Sequence, residues 1–356
     1  MTRLVLEQIS SMSSTSSINQ SPKLSICIST LNRASFIGET LESIVSQATQ
    51  DLEILVLDAG STDRTEDVVS EYARCYPGLR YVKQATNNGI DQDFDHAVEL
   101  ARGKYCWLMP DDDLMKPGSV AAVLEAIGHG YSVVLVNVEA KDVAMSCVLM
   151  PSGIDFSADR VYGPSEMDAL FESGRKLLGY TGSVVMERAL WLARDRERYY
   201  GSWFIFIGVI FQERLPGNAL IVAAPCISIR IGNQSWLAKY FEIAAIRYRS
   251  LVWSLPLAES TKNKICGAAP WTSFCGLMFY RAVGAYSFIE YRRYVRPRLR
   301  SLQDAIIPML VAVMPGVIAN TILVLKYSVR GRRDRGVDLV YLRQSRFYLW
   351  RRCTFR

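Results

Sequence analysis

The sequence contains few of the residues that build metal and redox sites. Among 356 residues there are only two histidines, His96 and His129, and the eight cysteines are scattered without a C-x-x-C pair. Zinc sites built from thiolate or imidazole ligands need several of them close together, so none is expected. Scattered, unpaired cysteines also indicate reduced thiols and a cytosolic environment.

Common nucleotide-binding and export signals are missing as well. The first β-rich run, LSICIST at residues 24–30, is followed by LNR and not by G-x-G-x-x-G, which argues against NAD binding. It does not lead into the Gly-rich loop with a lysine that a sugar nucleotidyltransferase should show. Residues 1–22 are rich in serine and have no long apolar stretch, so we predict a disordered leader and not a signal peptide.

Positive charge is concentrated at the carboxyl end of the chain. Residues 291–356 contain 15 Lys/Arg and 3 Asp/Glu, a net charge of +12, whereas the whole chain carries +6. The first 290 residues are therefore net acidic. This asymmetry argues against a nucleic-acid partner and predicts a local anionic partner near the tail, such as a membrane surface.

The first half of the sequence alternates between apolar runs typical of strands and stretches with apolar residues at helical spacing. The predicted strands are residues 24–30, 52–57, 79–83, 105–109 and 133–138, and the predicted helices are 32–47, 65–76, 94–101 and 119–127. Such alternation predicts an α/β fold, a mostly parallel sheet with helices on both faces. After residue 153 the pattern weakens, with candidate strands at 181–186 and 220–224 and a candidate helix at 190–198.

Polar loops follow the predicted strands at the edge where open parallel sheets bind their ligands. These loops are residues 30–33, 58–63, 87–95 and 111–113. The last loop is the run Asp111-Asp112-Asp113. Adjacent carboxylates repel one another unless a cation neutralises them, and their hard oxygens suit Mg²⁺ or Mn²⁺ bound together with substrate phosphates. The alternative is a solvated acidic turn, but the convergence of four polar loops favours a ligand site.

A long apolar segment lies near the carboxyl end. Residues 305–325 are apolar apart from Asn320 and Thr321, and Pro308 and Pro315 interrupt them. Basic residues stand on both sides, at positions 292, 293, 296, 298 and 300 before the segment and 326, 330, 332, 333 and 335 after it. Positive charge on both sides favours an in-plane or re-entrant membrane segment over a simple span. The alternative is a buried helical hairpin.

Taken together, three stretches in the first half resemble glycosyltransferase family 2 of the GT-A fold. They are LSICISTLNR, LEILVLDAGSTD and NNGIDQDFDHAVELARGKYCWLMPDDD, within residues 23–130. The phrase YCWLMPDDDLMKPG further resembles a bacterial branch with abequosyltransferase-like enzymes, which add sugars to lipid-linked O-antigen units. The resemblance implies a GT-A domain at residues 23–235 and leaves a helical, basic, membrane-associated region at 236–356.

The resemblance also implies roles for individual residues. Asp112 matches the family's metal-coordinating carboxylate, Asp113 would support the metal (Mn²⁺ or Mg²⁺), and Asp111 matches a position that contacts the nucleotide ribose. The other residues expected to line the donor site are Thr30, Asn32, Arg33, Asp58, Gly60, Ser61, Asp91 and Asp93. For Asp58 and Asp63 the alternative is turn formation and helix capping, and for Asp91 and Asp93 it is a solvated helix start.

Several positions depart from the family pattern. Leu31 and Ala59 replace base-reading residues, Pro110 replaces the first Asp of the usual D-x-D, and Phe94 stands where an Arg is often found. The acidic pair whose Asp deprotonates the acceptor is also missing. Glu213 and Asp195 are the candidate bases that remain in the neighbourhood.

The function expected from this resemblance is transfer of a sugar from a nucleotide-diphosphate donor to a polyprenyl-diphosphate-linked glycan in cell-surface polysaccharide or O-antigen synthesis. The protein is expected at the cytoplasmic face of the membrane as a peripheral protein. A non-catalytic scaffold that keeps the fold is the alternative. Metal-dependent nucleotide binding separates the two hypotheses.

Overall fold

The computed structural model describes residues 21–329 and 336–350. They divide into two compact units: the first comprises the chain up to Glu139 together with Ser152–Ile229, and the second Ala140–Pro151 together with the chain from Arg230. The predicted leader, apart from its last two residues, and the basic positions 330, 332, 333 and 335 lie outside the described residues.

Four parallel strands form the first half of the central sheet, as predicted. They are β1 (Leu24–Thr30), β2 (Leu52–Asp58), β3 (Leu79–Lys83) and β4 (Tyr105–Met109). β1 lies between β2 and β4, and β2 also pairs with β3. All residues of β1, β2 and β4 are buried, which is why their sequences are mostly apolar.

Four helices connect or follow these strands: α1 (Ile37–Val45), α2 (Thr65–Cys75), α3 (Ile90–Leu100) and α4 (Ser119–Gly128). Two predicted starts were wrong. The helix predicted from residue 32 begins at Ile37, because the left-handed Asn32 (φ 55°) belongs to a loop. The helix predicted from residue 94 begins at Ile90, directly after Gly89, whose φ is 94°. Asp91 and Asp93 thus lie in its first turn, where a helix favours negative charge.

The remaining strands make the second half of the sheet antiparallel, which the weakened sequence pattern did not reveal. They are β5 (Leu114–Met115), β6 (Val133–Asp142), β7 (Val148–Met150), β8 (Arg160–Tyr162), β9 (Val184–Glu187) and β10 (Ala219–Ile231). The strand order is β3-β2-β1-β4-β9-β6-β10-β5, with β7 beside β6 and β8 beside β10. The α/β fold with a parallel core is confirmed.

Short helices complete the first unit: α5 (Met167–Ser173), α6 (Arg188–Leu192) and α7 (Ile205–Phe211), with 3-10 turns at Thr181–Ser183 and Glu197–Tyr199. The single helix predicted at residues 190–198 was wrong, because α6 ends at Leu192. Two residues later Arg194 turns its guanidinium to the carbonyl oxygens of Glu213 and Arg214, a long-range contact that helical periodicity does not reveal.

The second unit is largely helical, as the sequence predicted. Its α-helices are α8 (Arg249–Ser254), α9 (Glu259–Cys266), α10 (Phe274–Val283), α11 (Phe288–Glu290), α12 (Leu302–Val313), α13 (Gly316–Val329) and α14 (Gly336–Gln344). A 3-10 helix at Ser235–Lys239 and a π-helix at Phe241–Tyr248 precede α8.

The predicted apolar segment forms the bent pair of helices α12 and α13. Their axes make an angle of 90°, and among the described residues this pair has the length and apolarity of a broken span, whereas no single helix does. Asn320 faces inward on α13, where its amide donates to the carbonyl oxygens of Ala282 (3.1 Å) and Leu342 (2.8 Å). Many of the outward side chains are exposed and apolar.

Candidate nucleotide and metal site

The turn after β2 is organised by Asp58. This carboxylate is fully buried, accepts a hydrogen bond from the backbone N–H of Ser61 (2.6 Å), and accepts another from the Tyr81 hydroxyl (2.5 Å). Gly60 supplies the left-handed conformation that the turn needs, with φ 88°. Asp58 is therefore placed to shape the backbone of this loop through its hydrogen bonds.

The loops after β1 and β2 are joined through Asn32. Its side-chain oxygen accepts hydrogen bonds from the backbone N–H groups of Thr62 (2.8 Å) and Asp63 (3.3 Å), and its own N–H donates to the Ser61 hydroxyl (2.8 Å). The next N–H, of Arg33, donates to the Thr65 hydroxyl (2.9 Å). The two predicted donor-site loops thus form one rigid edge.

Arg33 extends from this edge to the acidic run that follows β4. Its guanidinium lies 3.5 Å (Nε to Oδ1) from Asp111 and 3.6 Å (Nη2 to Oδ2) from Asp112. Asp111 is 8% exposed, so the alternative of a solvated acidic turn was wrong for this residue. Burial and the neighbouring Asp112 raise the pKa of Asp111 to about 7, against the opposing effects of Arg33 and the Thr30 hydroxyl.

Asp113 has a hydrogen-bond partner outside the acidic run. It is 3% exposed, and its Oδ2 accepts a hydrogen bond from the Tyr180 hydroxyl at 2.5 Å. Burial and the nearby Asp113 raise the pKa of Tyr180 well above its usual value, so the phenol remains a donor. This contact supports a positioning role for Asp113, and sequence reasoning missed Tyr180 because nothing in its neighbourhood distinguishes it from a core tyrosine.

The two carboxylates at the start of α3 are buried, so the alternative of a solvated helix start was wrong. Asp91 accepts hydrogen bonds from the backbone N–H groups of Trp203 (2.8 Å) and Ile205 (3.2 Å), and so caps α7. Asp93 accepts one from the Gln84 amide (3.0 Å). Contact of either residue with a donor stays a prediction.

A role as catalytic base stays a prediction for Asp195 and Glu213. Both are exposed. Arg194 donates to the Glu213 carbonyl at the end of α7, whereas Asp91 holds the start of that helix. Arg196, beside Asp195, pairs with Glu99 near the end of α3. Asp195 therefore lies near the end of α3 and Glu213 near the end of α7, whereas Asp91 lies at the start of both helices.

A second buried carboxylate near the acidic run was not predicted. Glu139 on β6 receives a hydrogen bond from the Ser228 hydroxyl (2.6 Å) and pairs with Lys116 (3.0 Å), three residues after Asp113. The sequence did offer a signal for this residue, because a glutamate follows directly after the predicted strand 133–138. A carboxylate buried at such a position usually has a cationic partner.

The donor set of the acidic run fits a hard divalent cation. Asp111 and Asp112 converge on one guanidinium, so their oxygens face a common cationic position. Within residues 21–329 and 336–350 no three His, Cys, Asp or Glu side chains come together as metal ligands. At phosphate sites, however, Mg²⁺ is usually bound by only one or two carboxylates, and substrate phosphates complete its coordination shell.

Residues 25–146 match the family model "Glycosyl transferase family 2". Abequosyltransferase RfbV of Salmonella typhimurium is 37% identical over 101 residues, which are 28% of this chain and 30% of that protein. The GalNAc(5)-diNAcBac-PP-undecaprenol beta-1,3-glucosyltransferase of Campylobacter jejuni is 26% identical over 185 residues, 51% of this chain and 57% of that protein. The chain thus spans less than two thirds of these curated relatives.

Solved structures share the fold at low sequence identity. S. aureus TarS 1-349 in complex with UDP-GlcNAc matches with a TM-score of 0.56 and 15% identity, over 93% of this chain and 92% of that one. Mannosyltransferase PcManGT from Pyrobaculum calidifontis, in complex with GDP-Man and Mn²⁺, matches with a TM-score of 0.51 and 15% identity, over 98% and 94%. Residues 25–146 are therefore similar to family 2 glycosyltransferases, and the chain has the GT-A fold.

Proposed function

We propose that this protein transfers a sugar from a nucleotide-diphosphate donor to a polyprenyl-diphosphate-linked glycan in cell-surface polysaccharide or O-antigen synthesis. The observation that carries the proposal is the convergence of Arg33, Asp111 and Asp112 at the ligand-binding edge of a family 2 domain. Two carboxylates and one guanidinium on a rigid edge suit a diphosphate that arrives with a divalent cation.

Each of these side chains has a distinct part in this proposal. Asp112, with Asp111 beside it, would hold Mn²⁺ or Mg²⁺, and the ion supplies charge neutralisation on the departing nucleotide diphosphate when bound. Arg33 offers a planar guanidinium to the diphosphate oxygens. Asn32, Ser61 and Asp58 keep the facing loops in place through their mutual hydrogen bonds, so little reorganisation is needed when donor binds.

A lipid-linked acceptor is supported by one relative and by the second unit. The Campylobacter jejuni relative is named for a polyprenol-diphosphate-linked acceptor. In this chain the outward faces of α12 and α13 expose Leu310 (57%), Ile318 (50%) and Leu325 (58%), an apolar surface that a membrane would cover.

We further propose that this surface attaches the protein to the cytoplasmic face of the membrane as a peripheral protein. A run of arginines at positions 292, 293, 296, 298 and 300 precedes the apolar helices. Each basic side chain near anionic lipid adds about 1 kcal/mol of attraction. Insertion of apolar side chains and attraction of basic side chains to anionic lipid are two separate contributions, and stable membrane attachment requires both.

The direct test is sugar transfer by the full-length protein. Radiolabelled UDP-, GDP-, CDP- and dTDP-sugars are incubated with Mn²⁺ and a polyprenyl-diphosphate-linked N-acetylgalactosamine oligosaccharide. Label that moves into the lipid-linked fraction supports the proposal. No transfer from any of these donors, together with no metal-dependent nucleotide binding, would instead favour the scaffold hypothesis.

A further inference from the structure

A cavity of about 630 Å³ with both polar and apolar lining lies within the second unit. Its walls are the loop before the first 3-10 helix of that unit, the end of α10, the start of α11 and the residues just after α14. The side chains that line it include Asn233, Ser235, Ala238, Ser287, Glu290 and Arg346. This volume is typical of a small-molecule site.

The walls of this cavity are held by hydrogen bonds of their own. The Gln234 side chain accepts from the N–H of Gly232 (2.8 Å) and donates to the carbonyl of Arg230 (2.7 Å), which closes the loop on itself. On another wall the Ser287 hydroxyl donates to Glu290 (2.5 Å) and accepts from the N–H of Ile289 (3.1 Å). The cavity is therefore preformed, which lowers the entropic cost of binding.

The chemistry of the lining favours an uncharged ligand that is rich in hydroxyl groups. Glu290 and Arg346 contribute opposite charges, and Asn233, Ser235 and Ser287 contribute amide and hydroxyl groups. Such groups both donate to and accept from hydroxyls. A free phosphate would pair with Arg346 but would meet the carboxylate of Glu290 in the same cavity, so sugar is favoured over phosphate.

The cavity is adjacent to apolar surface within the same unit. Ile289 lines it and is 70% exposed, and Phe288 beside it is also exposed. Phe347, next to the lining residue Arg346, packs on Gly316 at the start of α13. A cavity that carries hydrogen-bonding side chains and lies close to exposed apolar helices suits a ligand with a sugar part and a lipid part.

We propose that this cavity binds sugar residues of the lipid-linked acceptor, an inference that rests on the function proposed above. The lipid would lie along the outward faces of α12 and α13, and the glycan would enter between Asn233, Ser287 and Glu290. The ligand class is a neutral oligosaccharide carried on a polyprenyl diphosphate.

The test is to fill the cavity. Ala238 and Ala268 are both exposed alanines of the second unit, but only Ala238 lines the cavity. We expect Ala238→Trp to raise the KM for the lipid-linked N-acetylgalactosamine oligosaccharide by about tenfold or more, a loss of about 1.4 kcal/mol. The KM for donor should not change. Ala268→Trp is the matched control and should behave as wild type, and Glu290→Gln should give a smaller rise in acceptor KM.

A second measurement does not depend on transfer. Saturation-transfer NMR with the full-length protein and the lipid-free N-acetylgalactosamine oligosaccharide should show sugar signals with wild type and Ala268→Trp that are lost with Ala238→Trp. Sugar signals absent from wild type at millimolar concentration, or unchanged in Ala238→Trp, would overturn the inference. So would loss in Ala238→Trp of binding to polyprenyl-phosphate vesicles without sugar. If wild type shows these signals but transfers no sugar, the proposed reaction fails and the cavity assignment stands.

Discussion

The sheet edge of the first unit and the bent helix pair of the second unit distribute polarity in opposite ways. At the sheet edge, Asp58 and Asp111 are buried and held by hydrogen bonds or a guanidinium. On α12 and α13, leucines and isoleucines face outward while Asn320 is buried. Each arrangement is unfavourable by itself: buried carboxylates need a cation, and exposed apolar surface needs a cover. We therefore expect a bound cation to stabilise the sheet edge and a covering surface to stabilise the helix pair.

The largest expected effect is at the sheet edge. Asp112→Ala removes the oxygen donor that faces the cation position, and we expect transfer to fall by about a thousandfold, as when a preorganised electrostatic group is removed from an active site. Asp155→Ala changes an 86% exposed carboxylate elsewhere in the same unit and should retain activity. Retained transfer by Asp112→Ala at saturating Mn²⁺ would remove this residue from the site.

The next effect is on the apolar face of the second unit. Burial of a large apolar side chain contributes about 1.5–3 kcal/mol, so Leu310→Asp or Leu325→Asp should each weaken binding to vesicles containing anionic lipid by about tenfold or more. Cosedimentation measures this binding. Val148→Asp alters an equally exposed apolar residue on β7 and should leave it unchanged. Equal binding by all variants would show that α12 and α13 do not contact lipid.

A smaller effect tests the buried amide of the helix pair. Asn320→Leu removes the amide donor from the carbonyl oxygens of Ala282, which keeps the Ser345 hydroxyl as a donor, and of Leu342. We expect a cost of about 1–3 kcal/mol in the free energy of unfolding. Urea denaturation in detergent measures the loss. Asn263→Leu, at an exposed helix position in the same unit, should change stability by less than about 0.5 kcal/mol. A stable Asn320→Leu variant would mean that the inward face tolerates an apolar residue.

The smallest effect concerns Asp63. Burial acts to raise its pKa, but hydrogen bonds from the Thr65 hydroxyl and from the N–H groups of Ala34 and Thr65 outweigh burial and lower the pKa below its usual 3.8. The carboxylate thus stabilises the fold above pH 3.8, and this contribution is lost as pH falls through the lower folded-state pKa.

Asp63→Ala should therefore cost about 1 kcal/mol at pH 7, as for loss of a helix cap, and less in strong acid. Thermal denaturation across this pH range provides the measurement. Asp67→Ala, four residues later in α2 and with a 64% exposed side chain, should have little effect. A difference between Asp63→Ala and wild type that does not shrink in acid would mean that the carboxylate charge is not what stabilises the turn.

The sequence predicted the parallel strands and the sheet-edge loops, because a continuous apolar run followed by polar turn residues is a local pattern. The start of α1 was not predictable in this way. Asn32 is left-handed and belongs to a loop, where its side chain accepts a hydrogen bond from Thr62, 30 residues later. Asp91 was predicted at the donor site, and its contact with a donor stays a prediction. The sequence did not reveal that it also caps α7, which begins 114 positions later. Tyr180 and Glu139 were missed for the same reason: their partners are distant in sequence.

The apolar tail illustrates the same limit. Composition identified residues 305–325 with Asn320 as a polar exception, but it did not reveal that Asn320 joins α13 to α10 and α14 through hydrogen bonds. Phe94, at the position where an arginine was sought, is a core residue that is 4% exposed. Hydrophobic pattern shows that a residue is buried, whereas its partner follows from tertiary structure.

The central claim is that Arg33, Asp111 and Asp112 form a metal-dependent nucleotide-diphosphate site. A thermal-shift panel of UDP, GDP, CDP and dTDP, each with and without Mn²⁺, tests it most directly. At about 100 times its dissociation constant a ligand stabilises the folded state by about 2.7 kcal/mol, which such an assay resolves. We predict that at least one of the four nucleotides raises the melting temperature of the wild type only with Mn²⁺, and that Asp112→Ala does not respond. No Mn²⁺-dependent shift with any of them would contradict the account.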